Sequence, residues 1–130
     1  IEVYEPFERT KHIIQKEENW AYELAISNFN DIKKCDCIFA IVNGTPPDEG
    51  VAVELGVAIA LGKPTFLFRD DFRKCADSNT FPCNLMLYAG LPKEGWKEYL
   101  YDSIDSIADP QKALSQWIAN KVKSSVVSRR

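Results

Sequence analysis

The sequence predicts an α/β fold built on a parallel sheet, and three observations carry that prediction. Two short apolar runs, "CIFAIV" at 37–42 and "PTFLF" at 64–68, are rich in β-branched and aromatic residues and read as strands buried on both faces. Between them "VAVELGVAIALG" is apolar at nearly every position and closes on Gly62, with Lys63-Pro64 beyond, which marks a helix and its stop. Helical patterns flank the pair, so strand and helix alternate along the chain.

Each element follows in order. "IEVYEPF" alternates and ends near Pro6, which predicts a short strand. Residues 10–16 are polar and read as a loop. "EENWAYELAISNFNDIKKC" spaces Trp20, Leu24, Phe29 and Ile32 at helical intervals, with acids early and lysines late to suit the helix dipole. Strand 37–42 leads into a loop at 43–50 and a helix near 50–62, then strand 64–68. Residues 69–83, with "RDDFRKCADSN", read as a long polar surface loop, and "NLMLYAG" as a short apolar element. "GWKEYLYDSIDSI" and "DPQKALSQWIANKVKS" are amphipathic. The second predicts a helix with Asp109 as its cap and Pro110 in its first turn. The chain opens on what reads as an inner strand, with no preceding strand–helix unit. An N-terminal strand and helix are therefore expected in the native protein and absent from this chain.

Composition narrows the function. The chain has 130 residues, enough for a single domain, with 45% hydrophobic and 27% charged residues. The net charge of −3 argues against a nucleic-acid polymer as partner. No apolar run is long enough to span a membrane, and the charged opening is unlike a signal peptide, so a cytoplasmic protein is expected. Cys35, Cys37, Cys75 and Cys83 lack zinc-ligand spacing and read as free thiols in a reducing compartment. No metal and no cofactor is expected: neither a dinucleotide-binding nor a P-loop glycine pattern occurs. The single histidine, His12, has no partner for a nucleophile–base arrangement and reads as a solvated loop residue. Chemistry is left to carboxylates.

The loop after strand 37–42 lies where ligands bind in such sheets, outside the carboxyl ends of the strands. It leads to Glu54, a lone acid among Val51, Leu55, Val57 and Ala58. An ionised carboxylate in such company is costly unless it is paired or faces a cleft. Glu54 is thus either part of a capping arrangement or buried ion pair, or a carboxylate at the floor of a ligand pocket. Asp48, six residues earlier, is either the N-cap of the helix or a second acid of the same pocket. Gly50 permits close approach of a substrate to the backbone. Two carboxylates without metal ligands suit cleavage at a sugar carbon, one attacking or stabilising an oxocarbenium-like centre.

"NGTPPDEGVAVELGVAIALGKPTFLF", followed by "NLMLYAGLP", resembles the nucleoside 2-deoxyribosyltransferase family. The resemblance runs from Ile1 to about Ile118 and rests on Asp48, on Glu54-Leu55-Gly56 and on Asn84-Leu85-Met86. It implies a flavodoxin-like doubly wound sheet in a single domain. It also implies a homo-oligomer, dimer-based or hexameric, whose active sites are completed by a neighbouring subunit. The implied substrates are nucleosides and free nucleobases. Carried over by residue, Glu54 matches the nucleophile that attacks C1′ of a 2′-deoxynucleoside and holds a covalent deoxyribosyl intermediate. Asp48 matches the acid that orients substrate and assists proton traffic. Asn84 and Met86 match residues donated across the subunit interface. Asn28 falls where the family commonly has an aspartate facing the substrate, and an amide cannot ionise there. The family's first strand, with its aromatic hydroxyl, has no counterpart in this chain.

The rival readings are an N-glycosidase of deoxynucleosides or nucleoside 5′-monophosphates, a phosphoribohydrolase of the cytokinin-activating kind, and a non-catalytic nucleotide-binding module. Asn84 in place of a serine favours an unphosphorylated nucleoside over a 5′-monophosphate as substrate. "PPDEGVAVE" lacks the paired glycines and threonine of the second, and the third predicts that Glu54 is dispensable.

Overall fold

The computed structural model describes residues 1–6, 18–76 and 78–128. The chain divides into two compact units, Ile1–Asp36 and Cys37–Arg130.

In the first unit, residues 1–5 form no strand, and Ile1 and Val3 are largely exposed. The expected strand there is corrected: alternation yields a strand only where a neighbour supplies a ladder. The expected loop at 10–16, with His12, lies outside the described residues. Helix α1 (Trp20–Lys34) forms as expected, with Glu23 in its first turn and Lys33 and Lys34 in its last. Lys33 Nζ sits 4.5 Å from the centre of the Phe29 ring. The helix stops where Cys35 turns extended, its N–H still donating to Asp31 O at 2.9 Å.

The second unit holds a parallel three-stranded sheet in the order β1 (Ile38–Ile41), β2 (Thr65–Phe68), β3 (Leu100–Tyr101). Ile38 pairs with Thr65 and Phe68 with Tyr101. This is the α/β architecture the sequence predicts, with one exchange: the third strand comes from 100–101. The segment 95–107, expected to be amphipathic, divides into a 3₁₀ turn (Trp96–Tyr99), β3 and helix α3 (Ile104–Ile107).

Alternation of side chains sorts the sheet into two different faces. Ala40, Val42, Leu67 and, in part, Ile38 and Leu100 point one way and pack with Leu55, Cys83 and Leu87. Phe39, Phe66, Phe68 and Tyr101 point the other way and pack with Ala113, Leu114 and Trp117. The first face is mainly aliphatic and lies under helix α2 (Glu49–Ala60); the second is aromatic and lies under helix α4 (Ala113–Ser128). Phe66 stacks on Tyr99 with ring centres 5.2 Å apart, and Phe39 meets Tyr101 at the same distance. β2 is buried along its whole length, whereas Ile41 of β1 is 59% exposed, so only the central strand is covered on both faces.

The ends of the helices show their causes. Gly62, at φ 69°, lets α2 close in a Schellman arrangement: Lys63 N–H donates to Ala58 O and Gly62 N–H to Ile59 O, each at 3.0 Å. Helix α4 starts at Ala113, later than Pro110. Asp109 caps a turn instead, its Oδ1 accepting from Gln111 N at 2.9 Å. The first turn of α4 is held by Tyr101, whose hydroxyl accepts from Leu114 N at 3.0 Å. No helix among the described residues is long and apolar enough to cross a membrane.

Candidate active site

Asp48 ends the loop after β1 in extended geometry, and its Oδ1 accepts from Gly50 N at 2.9 Å and Val51 N at 3.2 Å. These are orphan donors of the first turn of α2, so Asp48 is the N-cap. A Cβ on Gly50 would stand 2.9 Å from that carboxylate oxygen, so glycine lets the cap close.

Glu54 follows one turn later and is half-buried. Although apolar at nearly every position, the helix is not buried all round. Leu55 and Ala58 are buried, but Val53 is 66% exposed, and Ala52, Gly56 and Ala60 are open as well. Glu54 therefore lies at the border between the packed and open faces. Among the described residues no hydrogen bond or ion pair engages its carboxylate. Burial raises its pKa above the ordinary glutamate value, and the negative charge of Asp48 raises it further. A buried ion pair does not explain Glu54.

Asn84 caps a 3₁₀ turn (Leu85–Tyr88), its Oδ1 accepting from Met86 N at 2.9 Å. The turn packs on α2 through Leu87, which shares the aliphatic cluster with Leu55 and Val51. Met86 is 74% exposed and Leu85 49%. Asp48, Gly50 and Glu54 are thus brought together on one helix, with the Asn84–Met86 turn packed beside it. Asn28 lies on α1 in the first unit, half-buried. Two concavities, one lined by Phe81, Tyr88 and Trp96 and the other by Ile59, Pro64 and Tyr99, include none of these residues. Among the described residues no group of three or more His, Cys, Asp or Glu could hold a metal ion.

Residues 1–86 match the family described as nucleoside 2-deoxyribosyltransferase. The chain belongs to that family. A solved structure titled as a 2-desoxiribosyltransferase from Leishmania mexicana shares 30% sequence identity with this member. The match covers 72% of this chain and 69% of that one, with a TM-score of 0.54. No curated protein matches the chain. Deoxyribosyl transfer is the activity that membership supports, and the flavodoxin-like α/β class agrees with the parallel sheet.

One part of this deoxyribosyltransferase-family chain escaped the sequence reading. Residues 69–73 were expected in a polar surface loop, yet the Arg69 and Asp71 side chains are only 7% and 9% exposed. Arg69 Nη1 donates to Val42 O and, at 2.9 Å, to Gly44 O, while Nη2 donates to Arg73 O at 2.6 Å. Asp71 accepts from Gly44 N at 3.0 Å and binds Arg73 through both oxygens, at 2.8 and 2.6 Å. The Arg73 hydrogen bonds hold the Asp71 carboxyl far below its ordinary value. Asn43 and Asp70 exchange two bonds, at 2.6 and 3.1 Å. The available signal was position: "RDDFR" begins directly after a buried strand, at the carboxyl end where sites form.

Proposed function

We propose that the protein transfers 2-deoxyribose from a 2′-deoxynucleoside to another purine or pyrimidine base, with retention, by double displacement at Glu54. The observation that carries this reading is Glu54 itself: a half-buried carboxylate with no hydrogen bond or ion pair among the described residues, in the Glu-Leu-Gly of a deoxyribosyltransferase-family chain. A carboxylate kept free of cations and donors retains its lone pairs for attack.

In the first step a Glu54 oxygen bonds to C1′ as the glycosidic C1′–N bond breaks, and the bond pair leaves with the base. The departing base takes up a proton, for which Asp48, the exposed neighbouring acid, is the assigned carrier. In the second step a nitrogen of the incoming base attacks C1′ and gives its proton to Asp48, restoring it, as Glu54 leaves as carboxylate. Two inversions give net retention. Gly50 lets substrate approach the backbone of the first turn, and the family resemblance assigns Asn28 to substrate binding.

We also propose a homo-oligomer with shared sites, in which Asn84 and Met86 enter a neighbour's site. Support comes from the open position of the turn, with Leu85 and Met86 exposed, and from the exposed apolar Val53 of α2.

The test is incubation with thymidine and adenine, followed by chromatography. Deoxyadenosine and thymine in equal amounts are expected. Free deoxyribose without deoxyadenosine would replace transfer with hydrolysis, and no loss of thymidine would remove the catalytic reading.

A further inference from the structure

Arg69 follows β2 directly, and its own N–H donates to Tyr101 O at 2.8 Å, so its backbone is anchored in the sheet. From that base its guanidinium crosses to the other loop. Residues 42–44 and 69–71 are then bonded almost residue for residue: Val42 O and Gly44 O to Arg69, Asn43 to Asp70, and Gly44 N to Asp71. Gly44 is gripped at both its N–H and its C=O. It stands at φ 101°, and a Cβ there would meet Pro46 O at 2.8 Å, so the grip holds a conformation that favours glycine. From Gly44 the chain makes one bridge to Pro47 and reaches Asp48, the cap of α2.

We propose that Arg69 is the positioning residue of this site: by pinning Val42 and Gly44 it sets where the β1–α2 loop delivers Asp48 relative to Glu54.

Two features separate this role from plain stabilisation. The other donors to the same carbonyls are the thiols of Cys83 and Cys75, each at 3.8 Å, too weak to hold the loop alone. Among the described residues Arg69 Nε is buried without a hydrogen-bond partner. A buried guanidinium with an unsatisfied N–H contributes less stability than a fully paired one, which leaves the placement of Val42 and Gly44 as the main consequence of its carbonyl bonds. The forked donor matters: lysine keeps the charge but is a single point that does not span Val42 O, Gly44 O and Arg73 O. The catalytic consequence rests on the base-exchange reading above; the loop consequence does not.

The experiment compares Arg69→Lys with wild type by amide hydrogen exchange and by base-exchange kinetics, after circular dichroism confirms folding. Faster exchange is expected at Gly44, Gly50 and Val51, with β2 unchanged. The kcat for base exchange should fall about 10- to 100-fold, the loss expected of a reacting group misplaced by around an ångström, while KM changes far less. A double-mutant cycle adds the decisive readout. Asp48→Asn should move the acid limb of the rate profile to lower pH in wild type, and move it less in Arg69→Lys, where Asp48 is already displaced. Asp71→Asn, which weakens the grip on Gly44 from the other side, should give a smaller effect in the same direction and serves if Arg69→Lys does not fold. Unchanged exchange at Gly44, Gly50 and Val51, or a wild-type kcat and acid limb in the folded variant, would overturn the assignment. A wild-type protein with no base exchange would instead remove the functional reading, and amide exchange would then decide the loop clamp alone.

Discussion

Two regions of the second unit treat a carboxylate in opposite ways. In residues 69–73 Asp71 is buried against arginine, accepts from both Arg73 and Gly44, and is held well below the usual carboxylate range. At the border of α2, Glu54 is partly buried with no ion pair among the described residues, and burial and Asp48 push it above that range. The same functional group is spent on architecture in one place and left available in the other. Partner supply makes the difference: hydrogen-bond donors lower an acid's pKa, and burial without them raises it. Opposed environments of this kind separate structural acids from candidate reactive ones.

The strongest way to break the contrast is Glu54→Gln. Loss of the nucleophile should cost at least about three orders of magnitude in base exchange, on the scale seen when nucleophiles are removed. Stability should move the other way. Because the folded pKa of Glu54 is raised, the folded state binds more protons between the ordinary glutamate value and that raised value. The stability this confers is present at low pH and lost as pH rises through the raised pKa. The amide escapes that loss, so melting at neutral pH should be no lower than wild type. A variant that keeps more than a tenth of the transfer rate would end the assignment.

Asp71→Asn inverts the signs. A depressed folded pKa means that stability is present above the ordinary aspartate value and lost as pH falls through the depressed one. The variant should melt below wild type at neutral pH and converge with it in strong acid. Parallel curves across that range would show that Asp71 contributes nothing through its charge.

Asp48 stands between the two cases. Asp48→Ala removes the cap of α2 and should cost about 1 kcal/mol in denaturant unfolding. Asp48→Asn keeps the cap and should be nearly neutral for stability. It also removes the charge that helps raise Glu54, so the acid limb of the rate profile should move to lower pH. An acid limb that stays put would uncouple the two acids.

The smallest expected effect is at Asn28. If position 28 faces substrate as the family resemblance implies, Asn28→Asp adds a negative charge. The acid limb should then rise slightly and the balance between deoxyribo- and ribonucleosides should shift. Identical pH profiles and sugar preference would place the residue away from the substrate.

Much of this was legible in the sequence because it is local. The apolar runs at 37–42 and 64–68 contain β1 and β2, Gly62 terminates α2, and Glu23 with Lys33 and Lys34 frame α1. Asp48 was readable as a cap, since a cap needs only its own side chain and the next three amides. Family membership was readable as well, because its motif is a contiguous spacing of residues.

Tertiary structure decided what depends on partners distant in sequence. Residues 1–5 have strand alternation but form no strand, while the two residues of β3 have no visible pattern and become a strand by pairing with Leu67 and Phe68. The start of α4 depends on a hydroxyl at Tyr101 rather than on the nearby Asp109. Val53 and Leu55 are both apolar neighbours of Glu54, and only packing on the sheet made one exposed and the other buried. Arg69 shows the limit most clearly. Its partners at Val42 and Gly44 are backbone carbonyls more than twenty positions away, and carbonyls are the same in every residue. A sequence specifies which side chains are present; which backbone groups a buried arginine meets is settled only when the strands are laid side by side.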